Sequence, residues 1–380
     1  MEQIPFRACA EINKDAIRHN FAVIRSHIRP ECKILSVIKA DAYGHGAVET
    51  ARMLSDSDYF GVACPEEALT LRTAGIETPI LILGYTPPSR TKDLIRNGLT
   101  QCVFSEEYLN ALKAEIRPGE RLKVHLKIDT GMSRLGFYVR DERTAGQTAD
   151  TLEKMIRTSP QVDFEGIFTH FTSSEEDRAA TEAQFRAFME VTERLKRKGI
   201  VFALRHCANS AATLLYPEYH LDMVRPGLIL YGLLPDPGMD PNGETFGLRP
   251  AMTLKSTVAQ IHHLNPGDTV SYSRTFRTEA PVETATVCIG YADGLRRELS
   301  NGAPVLINGH RTRILGRVCM DQCIIDVTGI PAAPGDTVIF FGQEGDKRIP
   351  AETVAERCGT ISYEILCDIG KRIPRIYTGN

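Results

Sequence analysis

Residues 33–46 read KILSVIKADAYGHG: an apolar, β-rich run closes on Lys39, and a glycine-containing turn carrying Tyr43 follows at once. An amine held at the end of a buried run acts as a nucleophile or a base once its surroundings depress its pKa. By itself such a lysine more often carries its charge to solvent along an apolar stem. Other reactive or polar groups obey the same rule of place. Lys127 lies at the end of KVHLKI, just before DTGMSRLGF with Arg134; His170 ends FEGIFTH; Asn209 and Ser210 stand in CANSAATL after FALRH; Arg225, Gly227 and Leu228 close and follow LDMVRP. Singly, His170 reads as a core imidazole, Arg134 as a surface cation and Ser210 as a helix cap. Five such groups at the ends of five apolar runs make that joint explanation poor.

The runs need a repeating scaffold to bring their ends together. From Lys33, eight short β-rich segments alternate with helical stretches: KILSVIK, DYFGVA, PILIL, TQCVF, KVHLKI, FEGIFTH, FALRH and LDMVRP. CPEEALTLRTA has Pro65 at the first helical position and acids in the first turn. SSEEDRAATEAQFRAFMEVTERLKRKG has Ser173 or Ser174 to cap it, acids early and bases late. NKDAIRHNFAVIRSHI, with Ile17, Phe21, Ile24 and Ile28 on one face, precedes the first run. Eight alternations predict an α/β chain whose residues 1–240 form a (β/α)8 TIM barrel. After residue 235 the texture changes to PDPGMDPNGETFGLRP and then to strand-like TLKSTVAQI, ETATVCIGYA, APVLINGH, CIIDVTG and TVIFFG. A mainly β C-terminal domain is expected over 241–380. PGDTV occurs at 266–270 and 334–338, which reads as one turn chemistry used twice.

Barrels of this class gather their active sites at the C-terminal ends of the strands and hold phosphate in the loops after the seventh and eighth. Asn209, Ser210, Gly227 and Leu228 fall in those loops. A phosphate site facing a strand-end lysine points to pyridoxal 5'-phosphate held as a Schiff base, since that cofactor needs an amine and an anchored phosphate. Its pyridine nitrogen needs a partner, for which Arg225 is the candidate. A guanidinium keeps its proton, so it donates to the ring nitrogen and leaves that nitrogen unprotonated. Such a ring is a weaker electron sink, which favours returning a proton to Cα over side reactions.

SVIKADAYGHG, KIDTGMSRLGF, EGIFTHF, HCANSAATL, MVRPGLILYGL, VSYSRTF, IGYADG, GRVCMDQ and ISYE, in this order, resemble the motif series of bacterial alanine racemases over nearly the whole chain. The resemblance implies interconversion of L- and D-alanine, supplying D-alanine for peptidoglycan, in a homodimer with shared active sites. It implies Lys39 as the Schiff-base lysine and the base on one face, and Tyr272, supplied across the dimer, as the base on the other. Tyr43, Ser210, Gly227, Leu228 and Tyr363 would hold the phosphate, and Arg134 would face the phenolic oxygen. His170 would link Arg225 to Tyr272, and Met320, beside Asp321, would meet the substrate carboxylate through its backbone. In the family the lysine that Lys127 matches is often carbamylated and orients the arginine that Arg134 matches; an unmodified strand lysine is the plain alternative. The family's β domain also usually includes the first strand, here about 6–12. The outer access path would be lined by Tyr291, Arg317 and Arg297, or by Arg296 in place of Arg297, because LRRELS after IGYADG departs from many relatives.

Composition narrows the alternatives. Forty-five basic against 48 acidic residues give a net charge of −3 without long like-charge blocks, so neither nucleic acid nor a membrane surface is an expected partner; a small molecule is, and the resemblance makes it an amino acid. Ten cysteines stand singly, with no C-x-x-C pair and no metal-ligand spacing, which fits a reducing cytosol and predicts no metal. MEQIPFRACAEINK has no secretory pattern. A serine racemase is the nearest rival, since the catalytic domain of vancomycin-resistance serine racemases resembles the same series behind a membrane region. Were this such a domain, the whole protein would be membrane-attached. A barrel-fold decarboxylase lacks support, for want of a glycine triplet at the phosphate site and a cysteine motif near the C-terminus. A non-enzymatic pyridoxal phosphate carrier would stop after the barrel and has no use for Tyr272.

Overall fold

A computed structural model describes residues 6–240 and 245–379, so the expected 240/241 boundary adjoins residues outside that description. The chain forms two compact units. One comprises Arg18–Ala42 and Ala47–Leu248; the other takes in the chain up to Ile17, Tyr43–Gly46 and the chain from Arg249 on.

In the first unit the eight expected strands are present as Lys33–Val37, Tyr59–Val62, Ile80–Ile82, Leu99–Val103, Leu122–Asp129, Val162–Phe168, Leu204–His206 and Met223–Val224. The first seven pair in parallel in chain order, and the eighth pairs with the first. Between the seventh and eighth, backbone bonds from Asp222 to the Arg205 carbonyl (3.1 Å) and from Arg225 to the Ala208 carbonyl (2.9 Å) draw the ring almost closed. The runs are nearly continuous in apolar residues because helices cover the outer face while side chains fill the barrel. Ile34, Leu35, Phe60, Ile80, Leu81 and Val124 are fully buried.

Local capping explains the helix limits. Asp141 and Thr144 form a reciprocal capping box at Glu142–Arg157. For Arg178–Arg197 the expected serine cap is not the one used: the Asp177 carboxylate accepts from the Ala180 N–H, while Asp177 and Glu176 close a turn on the Ser173 carbonyl. A charged acceptor is the stronger cap at a helix N-terminus, and Ser174 is left to donate to Asn209 (2.8 Å).

The second unit is a nine-stranded sheet ordered Lys347–Ile349, Thr337–Glu344, Pro304–Ile307, His310–Leu315, Cys323–Asp326, Val282–Val287, Met252–Leu264, Ala8–Asn13, Arg375–Thr378. The strand Ala8–Asn13 thus joins this sheet, antiparallel to Met252–Leu264 in the register Ala10↔Leu254 and parallel to Arg375–Thr378. Besides Ala8–Asn13, the 13-residue strand Met252–Leu264 serves two more neighbours: its first half pairs with Thr337–Glu344 and its second with Val282–Val287, with a register shift between Val258 and Gln260. Both PGDTV turns place their glycine at nearly the same positive φ, 94° at Gly267 and 95° at Gly335.

Candidate active site

Lys39 does not close the first strand, which ends at Val37; it opens a left-handed turn. Ala40, Asp41, Ala42 and Tyr43 all have φ between 52° and 55°. For residues bearing a Cβ this costs roughly 1–2 kcal/mol each, so the surroundings must hold it. Three bonds do so: Ala42 N–H to the Ile38 carbonyl (2.9 Å), Ala47 N–H to Asp41 Oδ1 (2.8 Å), and Ala40 N–H to Glu67 Oε1 (2.6 Å).

Arg225 follows the eighth strand and is almost fully buried. No carboxylate pairs with it among the described residues. It donates to His206 Nδ1 (3.0 Å), to the Thr169 (2.8 Å) and Cys207 (3.1 Å) carbonyls, and to His170 Nδ1 (3.2 Å). Desolvation pulls the guanidinium down to about 10, which leaves it protonated at neutral pH. Beneath it His206 Nε2 meets His125 Nδ1 (2.9 Å), and His125 Nε2 meets Glu165 Oε2 (3.0 Å). Burial pushes the Glu165 carboxyl up, but bonds from His125, Lys123 and Tyr59 outweigh it and hold the group at about 2. Burial also lowers both imidazoles. With each imidazole neutral, every proton in the line points away from Arg225 towards Glu165.

The mouth is rich in cations. Desolvation comes first in lowering His170 well below its ordinary value, followed by Lys127, Arg225, Arg134 and Lys39. Lys127 is buried, with its Nζ 4.5 Å from the centre of the Phe168 ring. Desolvation and then Arg225 depress it to about 7. Arg134 is exposed on a loop shaped by Asp129, whose Oδ1 accepts from the Gly131 and Ser133 N–H groups (both 3.0 Å). At the seventh strand Asn209 is the cap: its Oδ1 accepts from Ala212 (3.0 Å) and Ser174. Ser210 Oγ accepts from the Gly227 N–H (2.9 Å), which leaves the serine's own proton to donate elsewhere. The side chain of Leu228 is buried, so only its backbone is available to a ligand. Arg225 and Arg134, the amines of Lys39 and Lys127 and a serine donor around one mouth suit a ligand that carries several anionic oxygens.

The β unit holds the other expected residues. The rings of Tyr43 and Tyr363 lie 5.8 Å apart. Tyr272 (69% exposed) and Met320 (53%) line a concavity of about 490 Å³ with Ser271, Cys319, Asp321 and Gln322. The IGYADG turn shapes that wall: the Tyr291 and Ala292 N–H groups bind the Cys319 and Met320 carbonyls, each at 3.0 Å. A Cβ on Gly290 would lie 2.3 and 2.4 Å from those two carbonyl oxygens, so only glycine fits. Burial pushes the Asp293 carboxyl up, yet Arg7, Arg372 and the Gly290 N–H together hold it low. Arg372 also reaches Asp321 (2.5 Å). The two arginines of LRRELS separate cleanly: Arg296 is tied to Glu364 (2.8 Å) and Asp368 (2.5 Å), whereas Arg297 is exposed. Tyr291 is exposed and Arg317 half-buried.

Sequence reasoning missed His206, His125, Glu165 and Glu67. His125 was within reach, since it stands two residues before Lys127 and a strand of period two puts both on one face. The others needed pairings between distant strands.

The chain matches the family models for the alanine racemase N-terminal domain at residues 12–235 and C-terminal domain at 251–377. It is 44% identical to the alanine racemase of Desulforamulus reducens over 375 residues, 97% of this chain and 98% of that protein. It is 45% identical to that of Desulfovibrio desulfuricans over 373 residues, 97% of each. Among solved structures, an alanine racemase from Clostridium difficile 630 superposes with a TM-score of 0.91 at 39% identity, over 100% of this chain and 97% of that one. The Bacillus anthracis alanine racemase with bound L-Ala-P gives 0.92 at 36% identity, over 99% and 97%. With both domain models matched and full-length relatives above 40% identity, this chain belongs to the alanine racemase family.

Proposed function

We propose that this chain is a pyridoxal 5'-phosphate-dependent alanine racemase that interconverts L- and D-alanine as a homodimer. Family membership supports the reaction and the cofactor. The observation that carries the reading to this chain is Arg225: a buried guanidinium whose acceptors are neutral imidazoles and carbonyls. It would donate to the cofactor's ring nitrogen and leave that nitrogen unprotonated. Ser210, Gly227, Leu228, Tyr43 and Tyr363 would hold the phosphate, and Arg134 the phenolic oxygen. When bound, the cofactor acidifies the Cα–H of the amino acid it carries. Lys39 then removes or returns that proton on one face while Tyr272 of the partner subunit acts on the opposite face. His170 passes the influence of Arg225 towards that tyrosine. The backbone at Met320 of the partner subunit would meet the substrate carboxylate. Tyr291, Arg297 and Arg317 would line the approach.

Exposure of Tyr272 and Met320 at one concavity supports completion of the site by a second copy. Lys127, pulled to about 7, presents a neutral amine that reacts with carbon dioxide; the resulting carbamate would offset Arg225 and Arg134. Ten free cysteines accord with work in the cytoplasm, and among the described residues no helix is long and apolar enough to cross a membrane. The D-alanine formed would feed peptidoglycan synthesis.

A polarimetric or coupled assay with L-Ala, D-Ala, L-Ser and D-Ser separately tests the reading. Alanine should be turned over in both directions with serine at least about tenfold slower. Serine preferred over alanine makes this a serine racemase, and no turnover of either removes the racemase reading. Borohydride treatment of the loaded protein should fix a pyridoxyl group on Lys39; a tag on Lys127 instead would reassign the reactive amine.

A further inference from the structure

Lys39 sits between a barrel strand and a strained turn, and its direction is set by the two peptide planes that flank it. The plane before it carries the Ile38 carbonyl, which accepts from the Ala42 N–H (2.9 Å). The plane after it carries the Ala40 N–H, which donates to Glu67 Oε1 (2.6 Å). The first bond belongs to the left-handed turn itself. The second comes from another element and rests on one side chain.

Glu67 is the third residue of the helix Pro65–Thr73. A glutamate in that position ordinarily reaches back to the N–H of its own N-cap residue. Here Oε2 instead takes the Ala63 N–H (2.7 Å), at the end of the second barrel strand, while Oε1 takes Ala40, just past the first. One carboxylate therefore ties together the ends of two adjacent strands at the mouth. Neighbouring Glu66 faces away and pairs with Arg90, so the clamp belongs to Glu67 and not to acidity at this helix start. Ala40 to Tyr43 are all L-residues held at positive φ, and the left-handed conformation is locally unfavourable at each. Releasing the Ala40 N–H frees the plane after Lys39 to rotate and lets the turn relax.

We propose that Glu67 is a positioning residue for Lys39: its carboxylate fixes the Lys39–Ala40 peptide plane and so keeps the Lys39 amine aimed into the barrel mouth. This role rests on the racemase reading. The clamp rests only on the two backbone bonds to the Glu67 carboxylate. Since Ala40 and Ala63 are exposed in this chain, water replaces the lost acceptor and the expected cost is misplacement, not unfolding.

The experiment uses Glu67→Gln, Glu67→Ala and, as control, Glu66→Gln, each as cofactor-free and as loaded protein. In both forms, amide exchange at Ala40 and Ala63 should quicken about tenfold or more in Glu67→Ala. In Glu67→Gln one of the two sites should quicken, because the amide keeps one acceptor and turns a donor on the other N–H. The Ile38 amide, bonded to the Gly61 carbonyl, should not change. In the loaded enzymes kcat for alanine should fall about tenfold for Glu67→Gln and about 100-fold for Glu67→Ala, with KM moving less than threefold and Glu66→Gln like wild type. Unchanged Ala40 exchange in Glu67→Ala overturns the clamp. Quickened exchange with unchanged kcat overturns the positioning role, as does an equal loss of kcat in Glu66→Gln. An inactive wild type strikes the functional reading, and the Ala40 exchange then judges the clamp alone.

Discussion

The barrel mouth and the wall of the β unit treat their reactive groups in opposite ways. In the barrel, Arg225 and Lys127 are buried, and Arg225 is bound to neighbours at the ends of the sixth and seventh strands. In the β unit, Tyr272 and Met320 stand out from a concavity, with only the backbone behind them firmly braced by the IGYADG turn and Asp293. Burial lets the first set perturb one another's protonation. Exposure leaves the second set open to solvent until something covers it. In the reading proposed above, the covering surface is the mouth of a second copy.

The sharpest way to break this contrast is to damage each region in turn. Lys39→Ala and Tyr272→Phe should each lower racemisation by more than about 10³-fold. If Tyr272 serves the partner's barrel, mixing the two inactive variants after mild dissociation should restore about a quarter of wild-type activity, because half the dimers are mixed and one of their two sites is intact. No recovery, with subunit exchange confirmed by a size-tagged partner, would place both residues in the same chain's site.

Proton linkage probes the buried side. Lys127 stands at about 7 in the fold against 10.5 for the free side chain. Between those values the unfolded chain binds the extra proton, so stability rises with pH across that window and falls as pH drops towards 7, by about 5 kcal/mol at most. Urea midpoints measured between pH 7 and 9.5 should show this slope, and Lys127→Met should flatten it. Bicarbonate should flatten it in the wild type too if the amine is carbamylated. A slope identical in Lys127→Met would assign it to other groups.

Stability separates the two regions next. Arg225→Ala strands the His206 acceptor and two carbonyls in the barrel and should cost about 3 kcal/mol. Tyr272→Phe removes an exposed hydroxyl and should stay within about 0.5 kcal/mol in the isolated chain. Comparable denaturation midpoints for the two would erase the distinction. The smallest effect on activity is expected at Tyr363→Asn, which removes the ring beside Tyr43 and adds a hydrogen-bonding amide. The serine to alanine ratio of kcat/KM should rise about tenfold, with roughly 1 kcal/mol lost from the ring pair. An unchanged ratio would mean that Tyr363 does not set the choice between alanine and serine.

Much of this was readable from the chain alone, for a physical reason. Strands buried on both faces must be continuous apolar runs, so the eight barrel strands and the groups at their ends show directly in the order of residues. Family motifs such as SVIKADAYGHG and MVRPGLILYGL then name the candidate chemistry. Other features depend on groups far apart in the chain. Four consecutive residues with side chains give no local sign of a left-handed turn, since that conformation is unfavourable for each and persists only under bonds such as that from Glu67. The line from Arg225 to Glu165 joins four strand regions, and each of its histidines reads singly as an ordinary core residue. The choice of Asp177 over Ser173 or Ser174 as cap was likewise made by the loop that brings Ser174 to Asn209. Which segments are strands, and which residue types wait at their ends, is written in the order of residues, because burial periodicity is local. Which of those residues are buried, bonded and shifted in pKa is settled by the fold, because desolvation and hydrogen bonding are set by neighbours brought together in space.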